Sequence, residues 1–401
     1  MTRRVVITGA GTVNALGGDV PATLAAMRAG RGAIGAIDLP DLDRLSIRIG
    51  AQVPHWDAAA RFDLRSLALY DRCTQFALTA AQEAVASAGL TGPLGPRAGV
   101  IMGTAAGGIQ TWEDNYRAVF QDGKSRVHPL TVPKLMSNAA AAHLAMAYGL
   151  TGPALTVATA CAASNHAVGL AFQMVRAGIA DVMLTGGAEA MLCFGGIKAW
   201  AGLRVLSPDG CRPFSRSRNG MVMGEGAGVF VLEDRDHALA RGAEIWAEVA
   251  GFAMTADASD IVMPSQDGAA RAMSGALADA GLSAKDVGYI NAHGTGTAAN
   301  DRTETAAIRA VFGDHADRLA VSSTKAMHGH LIGATGAVEL LAVVMALRDG
   351  ILAPTINHDG GDADCDLDVV PNVARQADVA AALSNAFAFG GMNAVLALRR
   401  A

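Results

Sequence analysis

A cysteine, two histidines and a lysine stand in separate small-residue turns of this chain, and together they could carry acyl chemistry. Cys161 lies in "LTVATACAASNHAVGLA", where an apolar, β-branched run meets a thiol and small residues follow at once. A thiol at the start of a helix faces unpaired main-chain N–H groups, which stabilise negative charge. The position therefore predicts a lowered pKa and a nucleophile. A buried structural cysteine is the other reading, and the residues alone leave both open. Cys73 and Cys193 sit among apolar or small residues and read as structural, and Cys211 and Cys365 have no helix start directly beside them. His293 in "NAHGTGT" and Lys325, His328 and His330 in "KAMHGHLIGATG" occupy two further turns at predicted strand ends. Chemistry collects at such ends in covered parallel sheets. One cysteine and two histidines could also ligate zinc. The chain has no HExxH and no obvious supporting groups, so nucleophilic catalysis is the better reading.

The elements that must position these groups are written in the apolar pattern. "RRVVITGA", "RAGVIMGTA", "ALTVATA", "ADVMLTGGAE" and "GAGVFVLED" read as strands. "SNHAVGLAFQMVRAG" reads as a helix closed by glycine, and "PKLMSNAAAAHLAMAYGL" as one helix with proline in its first turn. Past roughly residue 250 the pattern restarts. "DGAARAMSGALADAG" and "DRTETAAIRAVFG" are helices, while "VGYINAHGTGT" and "LAVSSTKAMHGH" are strands running into turns. "GATGAVELLAVVMALRDG" is apolar on nearly every face, which predicts a central helix. "VAAALSNAFAFGGMNAVLALRR" reads as two strands about a glycine turn. Near-continuous apolar strands between helices predict an α/β fold with sheets covered on both faces. "TVATACAASNHAVGLA" and "AVSSTKAMHGHLIGATGAVELLA" share one plan of strand, reactive turn and apolar helix. A diverged duplication is expected, with halves at 1–250 and 251–401 packed around a shared cleft.

The 401 residues are 51% hydrophobic and carry a net charge of −5. That is enough for a large core, and no basic face for nucleic acid is expected. Five scattered cysteines without a CxxC pair argue against a disulfide scaffold or structural zinc. No apolar run has the length of a membrane span, and "MTRRVVITGAG" is too short for a secretory leader, so the reducing cytoplasm is the expected compartment. "GAGTVNALGG" fails the spacing of a dinucleotide fingerprint, and "GEGAG" at 224–228 lacks the lysine of a phosphate loop.

Five segments point to one family. "TACAAS" around Cys161, "CRPFSRSRNGMVMGEGAGVFVLE", "NAHGTGT" around His293, "SSTKAMHGHLIGATGAVE" and "SNAFAFGGMN" around Phe389 resemble the β-ketoacyl-acyl-carrier-protein synthases, in that family's order. The chain is most similar to the elongating, II-type condensing enzymes. "KAWAGLRVLSPDGCRPFS", "GTAANDRTET" and "DCDLDVVPNVAR" resemble the nodulation-associated branch. The resemblance implies the thiolase-type fold, with duplicated halves in αβαβα layers, assembled as a homodimer. It implies acyl and malonyl groups carried by phosphopantetheine on acyl carrier protein, with no cofactor and no metal. On this resemblance Cys161 takes the acyl chain, and the backbone N–H groups of Cys161 and Phe389 form the oxyanion hole. His293 and His330 stabilise the enolate left by decarboxylation. Lys325 orients a histidine, beside Glu339, and Gly390 and Gly391 let the main chain approach. His328 matches no catalytic position, and His143 and His166 are expected to pack helices.

Ala106 stands where II-type enzymes commonly carry isoleucine, which implies extra room in the acyl tunnel. Trp200 stands where the family has phenylalanine, which implies less. The substrate pocket is expected at Ala106, Trp200, Glu339, Gly390 and Gly391, with chain length undecided. Met221 and Met223 either line it or pack the core. Ser215 and Asn219 replace aspartates of many relatives, which predicts a weaker local ion-pair network. Arg65, Lys124 and Arg126 are candidates to meet an acidic carrier protein. The alternatives are a thiolase, a chain-length factor, an acyltransferase or hydrolase that never condenses, a non-catalytic scaffold, and a specialised polyketide-type ketosynthase. "AFAFGGMNAV" lacks the second cysteine of a thiolase, and Cys161 argues against a chain-length factor.

Overall fold

Ten strands form one mixed sheet in the computed structural model, which describes residues 2–401. In chain order they are β1 (Val5–Asn14), β2 (Ala98–Gly103), β3 (Ala154–Val157), β4 (Val182–Glu189), β5 (Gly226–Asp234), β6 (Ala247–Ala256), β7 (Val287–Asn291), β8 (Ala320–Ser322), β9 (Ala381–Ala388) and β10 (Met392–Arg399). The longer helices are α1 (Arg72–Ser87), α2 (Ala139–Tyr148), α3 (Ala163–Arg176), α4 (Gln266–Ala280), α5 (Ala298–Phe312) and α6 (Thr335–Asp349). Across the sheet the order is β8-β7-β9-β10-β6-β1-β5-β4-β2-β3. β2 is parallel to β3 and β4, as β7 is to β8 and β9. β5 is antiparallel to β4 and β1, as β10 is to β9 and β6. β1 and β6 join antiparallel at the middle. Strand order and direction therefore repeat outward from that seam. The expected α/β class holds, with helices flanking a mixed sheet.

Two helices stand between the two sets of strands. α3 packs on β2, β3 and β4, and also on β6 and β10; α6 packs on β7 and β9, and also on β4 and β5. α1 and α2 cover the outside of the first set, and α4 covers β6 and β10 with α5 against it. Every residue of β1 and β4 is buried, which accounts for their unbroken apolar runs. α6 is buried from Thr335 through Leu347, so its greasy circumference has apolar partners all round. Truncating Leu340 within it to alanine would cost about 2–5 kcal/mol. The first turn of α3 nests against two strand ends that carry no side chain there. A Cβ on Gly103 would collide with the main chain of Ala163, and one on Gly187 with Ser164 Oγ. This close approach sets Cys161 at the level of the strand ends.

Two expectations change. The helix read through residues 133–150 is two helices, Thr131–Leu135 and α2, with Met136 extended at ψ 139° between them. Ser137 and Asn138 follow at the break, and both types compete with helical backbone hydrogen bonds. β6 was not evident in the sequence because Glu248 interrupts its apolar run. Arg4 and Arg399 neutralise that carboxylate, Arg399 at 2.6 Å. Among the described residues no helix is long and apolar enough to cross a membrane. All five cysteines are free and buried.

Candidate active site

Three turns at one end of the strands converge. Cys161 sits in the single turn Ala160–Ala162 between β3 and α3. Ala160 before it has φ +47°, a left-handed conformation that costs a non-glycine residue about 1–2 kcal/mol. His293 follows β7, and Lys325 and His328 bound a short helix after β8, with His330 just beyond. Cys161 Sγ and a ring nitrogen from each of His293 and His330 lie within 4.8 Å of one another. The two imidazoles meet almost perpendicularly, at 84°, with centroids 5.5 Å apart. The main-chain N–H groups of Cys161 and Phe389 both bear on the sulfur. Phe389 follows β9, and Gly390 and Gly391 after it take φ +81° and +67°. Only glycine adopts that pair readily, and a Cβ on Gly391 would lie 2.5 Å from Asp257 Cβ.

A main-chain N–H fixes the His330 ring, and side chains fix the main chain that carries His293. Ile332 N–H donates to His330 Nδ1 at 3.0 Å. A main-chain N–H can only donate, so Nδ1 accepts and the ring proton belongs on Nε2. The Thr335 hydroxyl lies 2.8 Å from the same Nδ1, while Nε2 has no protein partner. Glu304 holds the His293 turn by accepting the N–H groups of His293 at 2.8 Å and Gly294 at 2.7 Å, and Asn385 donates to the same carboxylate at 3.1 Å. Lys325 donates to the His293 carbonyl oxygen and, at 2.7 Å, to Glu339. This ion pair is sealed from water and stands behind the His293 main chain.

Burial, with the charge of Lys325, holds His293 and His330 well below the usual histidine range. Both are therefore neutral near pH 7 and donate hydrogen bonds without first taking up a proton. Burial pushes the Cys161 thiol up to about 12, against the pull of Lys325 and the two N–H groups. The lowered pKa expected from the helix start is thus reversed. The amides are in place, but loss of water outweighs them. Glu339 is pushed up to about 7 by burial, despite Lys325. His328 is held down to about 3 by burial and Lys325; its ring contacts Gly329 O at 2.7 Å and Thr324 Oγ1 at 2.9 Å. The trio is a poor metal set, because the proton on His330 Nε2 leaves no lone pair to offer an ion.

A cavity of about 160 Å³ opens on the trio; Trp200, Met221 and Phe389 also line it. The Trp200 ring stacks on Phe389 with centroids 5.7 Å apart, and its indole N–H donates to Met191 Sδ at 2.8 Å. Met223 lies in the core instead. Ala106, Glu339, Gly390 and Gly391 stand outside the lining. Ala106 is half-buried in the loop after β2, and Arg65, Lys124 and Arg126 are exposed. His143 packs edge-on to Tyr70 at 4.6 Å, and His166 bonds Ala162 O at 3.1 Å. Asn219 donates to Asp209 at 3.0 Å and Ser215 Oγ accepts Asp359 N–H at 3.3 Å, so neutral bonds stand beside the Arg212–Asp209 and Arg218–Asp362 pairs. Sequence reasoning did not reach Glu304, Ile332, Thr335 or Asn385. Glu304 alone left a trace there, in the acidic start of "DRTETAA".

A buried thiol, two neutral imidazoles and sulfur-facing amides converge on this fold, the groups that a thiol-dependent acyl-transfer enzyme needs. Residues 2–238 match the Beta-ketoacyl synthase N-terminal domain and residues 246–359 the Beta-ketoacyl synthase C-terminal domain, so the chain belongs to the β-ketoacyl synthase family. It is 50% identical, over 100% of both chains, to Nodulation protein E of Rhizobium sp. (strain N33). It is 40% identical to 3-oxoacyl-[acyl-carrier-protein] synthase 2 of Staphylococcus aureus (strain N315), covering 99% of this chain and 98% of that one. A solved structure described as a type II PKS acyl-carrier protein in complex with its ketosynthase bound to the hexaketide is 32% identical, covers 100% of both chains and superposes with a TM-score of 0.92. The chain is a II-type condensing enzyme of the nodulation-associated branch, and its reaction is the decarboxylative Claisen condensation of an acyl group with malonyl-acyl-carrier protein.

Proposed function

We propose that Cys161 carries the acyl group and that His293 and His330 manage the malonyl half of the reaction. The sulfur attacks the incoming acyl thioester, a new S–C bond forms, and the carrier's thiol leaves with the proton that Cys161 gives up. The tetrahedral oxyanion is held by the N–H groups of Cys161 and Phe389. Malonyl thioester then enters against the imidazoles. Its carboxylate leaves as CO2, and the thioester oxygen takes up negative charge as the enolate forms. Neutral Nε2–H donors stabilise that oxygen without supplying a proton. The enolate carbon attacks acyl-Cys161, the C–S bond breaks, and the expelled thiolate takes a proton from water. A thiol pushed up to about 12 favours that return to the neutral form. Lys325 acts from behind, tying the His293 carbonyl to Glu339.

The observation that carries this reading is the 4.8 Å clustering of one thiol and two imidazoles. The test is mass spectrometry of Cys161 after exposure to a ladder of acyl carrier proteins, followed by malonyl carrier protein. An acyl adduct on Cys161 that is discharged as 3-ketoacyl carrier protein is expected. Discharge as free acid would make the protein a hydrolase.

The finer architecture belongs to the same proposal. The repeat of strand order about the β1–β6 seam supports two duplicated thiolase-type halves, the second beginning with β6. α3 and α6 would be the middle of five αβαβα layers. A homodimer is supported by β3, a sheet edge whose strand is only partly covered. Arg65, Lys124 and Arg126 would meet the carrier protein, in the cytoplasm. Trp200, stacked on Phe389, narrows the cavity, and Ala106 lies outside its lining.

A further inference from the structure

Outside the reacting trio stands a buried carboxylate whose partners are all neutral donors. Glu189 ends β4 and is 0% exposed. Its Oε2 accepts the N–H of Ala105 at 2.6 Å and of Gly333 at 3.1 Å. Its Oε1 accepts the Thr104 hydroxyl at 3.2 Å and the N–H of Ala106 at 3.3 Å. Thr104 Oγ1 itself accepts Gly107 N–H at 3.0 Å, which leaves its own proton for the carboxylate. Four donors thus face two oxygens and no acceptor does. A protonated carboxyl would have nowhere to direct its hydrogen, so the packing prescribes the charged form. Burial works against that charge and pushes the group up to about 7.

The donors come from two places that matter to the reaction. Ala105 and Ala106 form the loop after β2, and Gly333 lies in the turn after His330. Ile332, one residue before Gly333, supplies the N–H that sets the His330 tautomer. The Gly333 carbonyl in turn accepts the hydroxyl of Ser164, in the first turn of α3. A Cβ on Gly333 would lie 2.5 Å from Ala105 N and 2.6 Å from Glu189 Oε2, so loop and turn touch around the carboxylate.

We propose that Glu189 is a positioning residue that couples the loop bearing Ala106 to His330. A displacement of that loop moves the carboxylate, the turn Ile332–Ala334 and hence the Nε2–H that meets malonyl. Decarboxylation then responds to where the loop stands. The inference rests on the roles proposed above for Cys161 and His330.

The test compares full-length wild type, Glu189→Gln, Ala106→Phe and the double variant. CO2 release from malonyl carrier protein, acylation of Cys161 and thermal melting are read for each. Glu189→Gln turns one acceptor into an NH2 group facing N–H donors. It is expected to lower kcat for CO2 release by roughly tenfold or more, with KM for malonyl carrier protein and the acylation rate within about threefold. Ala106→Phe should change CO2 release in the wild-type background and leave it unchanged in the Glu189→Gln background. Independent effects, or equal losses of acylation and decarboxylation, would overturn the coupling. If Glu189→Gln does not fold, Thr104→Val decides. It removes one donor and keeps three, so a smaller loss confined to CO2 release supports the proposal and an unchanged rate overturns it. Wild type that releases no CO2 would sink the underlying mechanism as well. Active wild type with an unaffected Glu189→Gln would sink only the coupling.

Discussion

The two central strand–turn–helix units invite direct comparison. In the first, only residues 158–159 separate β3 from Ala160 at φ +47°, and the turn Ala160–Ala162 leads into α3. In the second, residues 323–331 separate β8 from Ile332 at φ +49°, and the turn Ile332–Ala334 leads into α6. Each unit thus has a left-handed residue, a tight turn and a central helix, in the same order. By that alignment Gly333 stands where Cys161 does. The first unit presents its reactive group directly at the helix mouth. The second leaves that place empty of side chain and lengthens the approach to carry Lys325, His328 and His330. One framework therefore presents a thiol from one side and a lysine with two histidines from the other, and the glycine at 333 lets the loop after β2 and Glu189 close against the turn.

The sharpest way to break this division is at the sulfur. Cys161→Ala is expected to abolish acyl transfer and condensation to below detection, whereas Cys161→Gln, an amide mimic of the acylated thiol, should keep CO2 release intact or raised. CO2 measurement on that variant decides, and its silence would place decarboxylation in the first unit too. Next in size, His330→Ala or His293→Ala should lower CO2 release by about 100- to 1,000-fold, the scale of a lost oxyanion donor. Cys161 should still acylate in both, and acylation lost in step would merge the two roles. Lys325→Met leaves Glu339 buried without its partner and should cost about 3–5 kcal/mol in denaturant unfolding. Adding Glu339→Gln should restore much of it, and equal stability of single and double variants would deny the pair its place.

Smaller effects sharpen the picture. Because Cys161 is pushed up to about 12, its thiolate fraction should climb with every step in alkalinity. Alkylation by iodoacetamide should accelerate about tenfold per pH unit between roughly pH 7 and 9.5. A plateau near neutrality would restore the low pKa expected from the helix start. Least of all, Trp200→Phe, which trims the cavity wall, should lengthen the longest acyl chain accepted and shift selectivity between neighbouring chain lengths by about tenfold. An unchanged product profile would remove that side chain from chain-length control.

Much of this was legible from residues alone. Unbroken apolar runs identified β1, β2, β4 and β5, and glycine-closed runs identified α3 and α6, because burial on several faces leaves a local pattern. Cys161, His293, Lys325, His330 and Phe389 were visible as motifs. What escaped has physical causes. β6 was masked by Glu248, whose neutralising arginines come from Arg4 and Arg399 at opposite ends of the chain. Half of the residues that α1 buries are alanines, whose small side chains mark a buried face weakly. The break at Met136 depends on a loop from after β2, since Gly107 sits against Ser137. Glu189 acts on main-chain N–H groups far along the sequence, and Glu304 reaches back across a turn to those of His293 and Gly294; neither kind of partner has a spacing rule. The thiol's pKa was misjudged because a helix start is local, whereas exclusion of water belongs to the finished fold.

The hydrogen bond from Ile332 to His330 has an evolutionary corollary. Its donor is an amide that every residue type but proline possesses, and proline, locked near φ −65°, cannot occupy a site at φ +49°. Mutation at 332 disturbs a fully buried side chain, yet it does not erase the instruction to the ring. Lineages diversifying toward new lipids are then free to recarve walls such as Trp200 while the proton on the distal nitrogen is inherited unchanged.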